Sequence, residues 1–151
     1  MATIQKDLYR SVNSSEFTYG VLTEDGDAVP NLLHGDIEHR TVEVNGKKVV
    51  RQDWRSDKNG FFNTGRGTSL WDRRGVFGHK YWYYFTLPKG TVIPDSLKLV
   101  EGDWNEKYQA THWQIEVATG GSLSADALRG ALDNLARNCV VRANELGISL
   151  K

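Results

Sequence analysis

Apolar and polar positions change period several times along the chain, and each change marks an element. Leu8 to Val12 (Leu-Tyr-Arg-Ser-Val) reads as a short strand. Residues 13–40 are polar and punctuated by Gly20, Gly26, Pro30 and Gly35, which predicts loops with at most one short turn of helix. Thr41 to Val44 and Lys47 to Gln52 flank Asn45-Gly46, and Asn-Gly supplies the two positive-φ positions of a type I′ hairpin turn. Residues 53–67, rich in Asp, Arg, Asn and Gly, read as a loop crossing the surface. A strand is expected from about Gly67 to Trp71. A strongly aromatic one follows from Tyr81 to Leu87, closed by Pro88-Lys89-Gly90, and Thr91 to Leu99 adds a short extended piece around Pro94.

Ala110 to Ala118 alternates cleanly. Thr111, Trp113, Ile115 and Val117 point one way, and Ala110, His112, Gln114 and Glu116 the other, so three chemically capable side chains share one strand face. The last element is a helix from about Ser124 to Leu146. Ser124 can cap it, Asp126 suits the positive end of its dipole, and Gly147 is placed to end it. Leu128, Leu132, Leu135, Cys139, Ala143 and Leu146 form one apolar stripe, which makes Cys139 a buried core thiol. Several strands followed by one closing helix predict an α+β domain with a mostly antiparallel sheet.

Composition narrows the function classes. The 151 residues suit a single domain over 1–151. With 39% hydrophobic and 25% charged residues, disorder is not expected as the main state. Nineteen basic and nineteen acidic side chains cancel, which argues against a resident nucleic-acid binder, since backbone contacts need a basic excess. One cysteine permits no internal disulfide and no cysteine zinc cluster, and fits a reducing compartment. No histidine spacing supplies three or four converging ligands, so no metal is expected. Met1 to Tyr9 carries no apolar core of signal-peptide length and no long apolar run follows. This predicts no membrane partner, a cytoplasmic site of action, and export that needs no cleaved signal.

The most unusual stretch is Gly65-Arg66-Gly67-Thr68-Ser69-Leu70-Trp71-Asp72-Arg73-Arg74-Gly75. Its glycines let a backbone approach a ligand, its hydroxyls offer hydrogen bonds, and its arginines offer charge for phosphates. The same residues also read as a solvated basic turn leading into a strand. No Gly-Lys-Ser/Thr follows to make a Walker loop, and the Gly-x-Ser-x-Gly elbow of a serine hydrolase is absent.

Four segments then carry a resemblance: residues 67–76, Leu87-Pro88-Lys89-Gly90-Thr91-Val92-Ile93-Pro94, Gln109-Ala110-Thr111-His112-Trp113, and Leu132-Asp133-Asn134-Leu135-Ala136-Arg137-Asn138. In this order they resemble the bacterial type VI secretion exported effector two family of toxins, from about Gly65 onward, with Leu8-Tyr9-Arg10 as an N-terminal anchor. Residues 13–60 lie outside the likeness. The family resembles NAD-dependent ADP-ribosyltransferases, which implies a split β-core and NAD as cofactor. By that resemblance Arg10 holds the NAD phosphates, a task suited to a guanidinium fork. Gly67-Thr68-Ser69 looks like the Ser-Thr-Ser-type motif that orients the nicotinamide ribose. Tyr9, Arg73 and Gln114 join Arg10 and Gly67 as cofactor-binding positions, and Tyr9, Tyr81 or Trp113 would stack on nicotinamide. Thr68, Ser69, His112 and Glu116 are the catalytic candidates. Gln114-Ile115-Glu116 resembles the Gln-x-Glu motif of some transferases, but the effector family keeps no acid at the place of Glu116, where His112 matches better.

The resemblance implies an antibacterial toxin acting in the target-cell cytoplasm on a protein or nucleic-acid target, neutralised in its producer by a cognate immunity protein. An NAD glycohydrolase, or a non-enzymatic toxin that seizes a partner through the same cleft, are the alternatives.

Overall fold

The computed structural model describes residues 2–13, 33–35, 37 and 40–150. The loop reading of residues 13–40 falls largely outside them, with Gly20, Gly26 and Pro30. Among the described residues seven strands and one helix follow in order: β1 (Leu8–Asn13), β2 (Arg40–Val44), β3 (Lys47–Arg51), β4 (Thr68–Trp71), β5 (Trp82–Leu87), β6 (Leu97–Asn105), β7 (Ala110–Val117) and α1 (Ala125–Leu146). Five strands form one sheet in the order β5-β1-β4-β7-β6, while among the described residues β2 and β3 form a separate two-stranded sheet. Every pairing is antiparallel, as the α+β reading expects. Asn45 and Gly46 have φ of 51° and 78°, so the hairpin turn is the one that Asn-Gly dictates.

Register decides which side chains share a face. Leu8 pairs with Leu87, Arg10 with Phe85, Thr68 with Ile115 and Leu70 with Trp113. These residues point toward α1, and the buried core joins Leu8, Leu70, Phe85, Leu87, Ile115 and Val117 to Leu128, Leu132 and Leu135 of the helix. Each such leucine contributes about 1.5–3 kcal/mol through burial. The opposite face pairs Ser11 with Tyr84, Ser69 with Gln114 and Trp71 with His112. A smaller cluster of Val76, Tyr84 and Ala110, with Trp71, Phe77, Trp82 and Tyr108 packed against it, covers part of that face.

Helix α1 starts and stops where its sequence dictates. The Ser124 side chain accepts from the Ala127 N–H, and Gly147 ends the helix at φ 69°, a left-handed position that glycine occupies without strain. The apolar stripe is buried from Leu128 to Ala143, but Leu146 at its end is exposed. It sits past the last turn that the sheet covers.

Two other expectations change. The extended piece from Thr91 to Leu99 is broken by a turn, and only Leu97 to Leu99 of it belong to a strand. Pro94 accepts a turn hydrogen bond from Leu97 N–H, and β6 begins at Leu97 and runs nine residues. Residues 53–67 do more than cross the surface, because Trp54, Phe62 and Gly67 are buried. Phe62 exchanges two backbone hydrogen bonds with Leu123, at 2.8 and 2.9 Å, which ties this segment to the start of α1.

Cys139 is 3% exposed, and burial pushes its thiol up to about 12. A thiol reagent is therefore expected to label the native chain far more slowly than the denatured chain, in a time course followed by mass spectrometry.

Candidate functional site

Three strands bearing the candidate residues lie side by side: β1 with Arg10, β4 with Thr68 and Ser69, and β7 with His112, Gln114 and Glu116. Their closeness depends on Gly67. A Cβ there would lie on the Ile115 carbonyl of β7 and 2.9 Å from the Trp54 ring, so only glycine admits this approach. Space, rather than a left-handed backbone angle, is the reason.

Thr68 and Ser69 are adjacent and therefore point to opposite faces. Thr68 is fully buried toward the helix side: its hydroxyl donates to Leu33 O at 2.7 Å and accepts from Trp54 Nε1 at 3.0 Å. Trp54 Nε1 also donates to His34 O, and His34 Nε2 meets Asp133 Oδ1 of α1 at 2.8 Å. This chain of bonds, running from β4 through two loops to the helix, makes Thr68 a fastener of the residues packed over the sheet. Arg10 lies on the same face, and its Nη1 donates across to the Ser69 carbonyl at 3.3 Å.

Ser69 faces the other way. It shares that face with Gln114 and stands next to the Trp71–His112 pair. Here an open cleft of about 420 Å³ is lined by Trp71, His112, Gln114 and Glu116, with Val100, Gly102, Asp103, Trp104 and Asn105 of β6 as the far wall. Trp71 meets His112 edge-on, with ring centroids 5.1 Å apart, and Tyr108 supports Trp71 from behind at 5.3 Å. Burial lowers the His112 pKa below its ordinary 6.5, and the Asp103 charge partly opposes this. Glu116 is buried; its Oε1 accepts from Gly65 N–H at 2.8 Å and its Oε2 from Gln114 Nε2 at 3.0 Å. That carboxylate fixes the backbone where the glycine-rich stretch enters β4.

The sequence candidates thus divide between faces. Ser69, His112, Gln114 and Glu116 come together, with Tyr9 on the same side through its pairing with Trp71. Arg10, Thr68 and Trp113 lie on the helix side. Gly67 acts through packing. Arg73 is exposed and its Nε donates to Tyr108 O, while Tyr81 is exposed beyond the cleft. Sequence reasoning passed over the β6 wall, although a glycine inside an extended segment, Gly102, is a signal for a bulge. It also passed over Ser11, whose buried hydroxyl has no partner among the described residues and lies on the Ser69 face. Among the described residues no group of three or more His, Cys, Asp or Glu could hold a metal ion.

A sequence model of the Tse2 ADP-ribosyltransferase toxin family matches residues 3–143, a span that includes every strand of the sheet and most of α1. The chain belongs to the Tse2 ADP-ribosyltransferase toxin family. It is similar to Toxin Tse2 of Pseudomonas aeruginosa, with 40% identity over 76 residues. That stretch is 50% of this chain and 46% of the relative, so the chain aligns with about half of that toxin's length. The match over residues 3–143 brings β1 into the Tse2 family pattern together with β4 and β7, the three strands that the geometry places next to one another.

The face division gives two expected outcomes. Thr68→Val strips the Leu33 carbonyl of its donor and is expected to destabilise the fold by about 1–3 kcal/mol. Ser69→Ala should change stability far less, and urea denaturation of both variants checks the contrast. His112 has a folded pKa below its unfolded one, so the unfolded chain binds the extra proton and stability falls as pH drops through about 6.5. His112→Gln should flatten that part of the stability–pH curve, measured by denaturation between about pH 7 and about pH 5.

Proposed function

We propose that the chain is an NAD-dependent ADP-ribosyltransferase toxin whose reactive cleft lies on the Ser69–His112–Gln114–Glu116 face of the sheet. The observation that carries this reading is the convergence of family-motif residues from β4 and β7 on one cleft walled by aromatic rings. A cleft of about 420 Å³ has the size of a small-molecule site, and its mixture of rings and fixed polar groups suits the nicotinamide and ribose end of NAD. Trp71 offers a planar apolar surface, Gln114 offers hydrogen bonds to hydroxyls and Glu116 offers negative charge, with Ser69 beside Gln114 on the same sheet face.

Breaking the bond between nicotinamide and ribose leaves a cationic sugar, and preorganised negative charge favours that state over the ground state. Glu116 is already held by two donors, so it needs no reorganisation when the cation forms. Arg10 serves the reaction from the helix side. Its grip on the Ser69 carbonyl steadies β4 from the face of the sheet opposite the cleft. Tyr9, paired with Trp71 on the cleft side of the sheet, is the remaining cofactor-binding candidate of this reading, and residues 1–151 form one toxin domain.

The wider biology follows from the same reading: an antibacterial effector delivered into target cells, acting on a protein or nucleic-acid acceptor in their cytoplasm, and neutralised by a cognate immunity protein. Among the described residues no helix is long and apolar enough to cross a membrane. Hydrolysis of NAD by water is the same chemistry with a different acceptor.

Incubating the pure chain with NAD and target-cell lysate tests the proposal, with nicotinamide release and ADP-ribose transfer followed together. Ser69→Ala and His112→Ala should each lower turnover by about 10²-fold or more. Arg10→Ala should raise the KM for NAD if the guanidinium grips phosphate, and lower the Tm if it acts only as a strut. No NAD loss with the wild type, in lysate or alone, would sink the enzyme reading.

A further inference from the structure

We propose that Asp103 is a positioning residue for His112, set at the cleft by the bulge in β6, and that the pair handles the proton of the nucleophile that accepts ADP-ribose. The inference rests on the NAD-consuming reading above and adds to it the group that moves the proton.

The register of the β6–β7 ladder carries the argument. Glu101 pairs with Trp113 and Trp104 with Thr111, so Gly102 and Asp103 together oppose the single residue His112. A bulge of this kind bends the strand and re-aims a side chain that regular alternation would have placed elsewhere. Gly102 makes the approach possible. A Cβ there would lie 2.8 Å from the His112 carbonyl oxygen and 3.4 Å from His112 Nδ1. The Nδ1 edge of the imidazole therefore faces the bulge, which leaves Nε2 to meet a ligand. Gly102, Asp103 and His112 all line the cleft.

The charges around His112 point the same way. Along β7, Glu116 has both oxygens engaged by Gly65 and Gln114. Beyond the end of β4, Asp72 accepts from Thr111 N–H through one oxygen and pairs with Lys6 through the other. Arg73 is turned to the Tyr108 carbonyl. Of the two carboxylates that line the cleft, Asp103 is the one left to respond to the imidazole. Burial keeps that ring neutral and able to accept a proton, and the Asp103 charge restores part of the basicity that burial removes.

In the step itself, the attacking atom of water or of an acceptor side chain bonds C1′ of the ribose and gives its proton to His112 Nε2. The bond between C1′ and the nicotinamide nitrogen breaks, and nicotinamide leaves neutral with the bonding pair. Asp103 takes no proton; its charge at the bulge opposite His112 stabilises the imidazolium that forms. General-base help of this kind is worth about 10²–10⁴-fold.

The test compares the wild-type chain with Asp103→Asn, Asp103→Glu and the distant surface change Asp95→Asn, reading both the His112 imidazole titration by NMR and the pH profile of NAD consumption. In Asp103→Asn the His112 pKa should fall by about half a unit or more. The acid limb of the profile should move down with it, and kcat should fall about tenfold with KM for NAD unchanged. Asp103→Glu should recover part of both effects, and Asp95→Asn should reproduce the wild type. An Asp103→Asn chain with wild-type Tm and an unmoved His112 titration overturns the pairing. A moved titration with no NAD consumption by the wild type overturns the proton step together with the transferase reading, and leaves the pairing in place. Should Asp103→Asn fail to fold, an Asp103→Glu chain with a wild-type titration but unrecovered kcat overturns the proposal on its own.

Discussion

At Gly67 the backbone of β4 comes against the Ile115 carbonyl of β7 so closely that no side chain could be interposed. Immediately after it, the Thr68 hydroxyl turns into the protein and is held by Leu33 and Trp54. From Trp54 the bonding passes to His34 and then to Asp133 on the helix. These contacts set the spacing of the two strands that carry the candidate chemistry, and they seat the layer packed above them. An unsatisfied buried polar group costs about 1–3 kcal/mol, so such a chain tolerates little change at any link.

One strand therefore performs two tasks that its neighbouring residues divide. Thr68 faces inward and fastens, and Ser69 faces outward with Gln114, His112 and Glu116. A pleated strand offers this division without further machinery, because consecutive side chains lie on opposite sides. It also means that two adjacent hydroxyls, alike in sequence, should fail in different ways when removed: one through loss of the fold, the other through loss of chemistry on an intact fold.

Much of this arrangement was legible in the residues themselves. The period-two alternation of 110–118 put His112, Gln114 and Glu116 together, Asn45-Gly46 fixed a hairpin, and Ser124 with Gly147 bounded the helix. What escaped was non-local. Nothing in the polar run 53–67 announces that Trp54 will be buried against Thr68, since that depends on a partner fourteen residues away. The bulge at Gly102 and Asp103 depends on pairing with β7, and so does the length of β6, which continues to Asn105, beyond the extended piece expected to end at Leu99. The opposed directions of Thr68 and Ser69 follow from strand geometry alone, yet a motif quoted as a unit conceals them.

Strand β1 lies inside the sheet between β5 and β4, although it precedes both in sequence. Leu8 meets Leu87 and Tyr9 meets Trp71, so its partners lie far downstream on both sides. Pairing over such separations closes large loops before any ladder bond is gained, which favours slow assembly. During synthesis β1 has neither neighbour until residues 68–87 have been made, and the cleft has no second wall until β6 and β7 follow. The candidate cleft is thus completed late in synthesis, and no fragment that stops short of β7 can carry it.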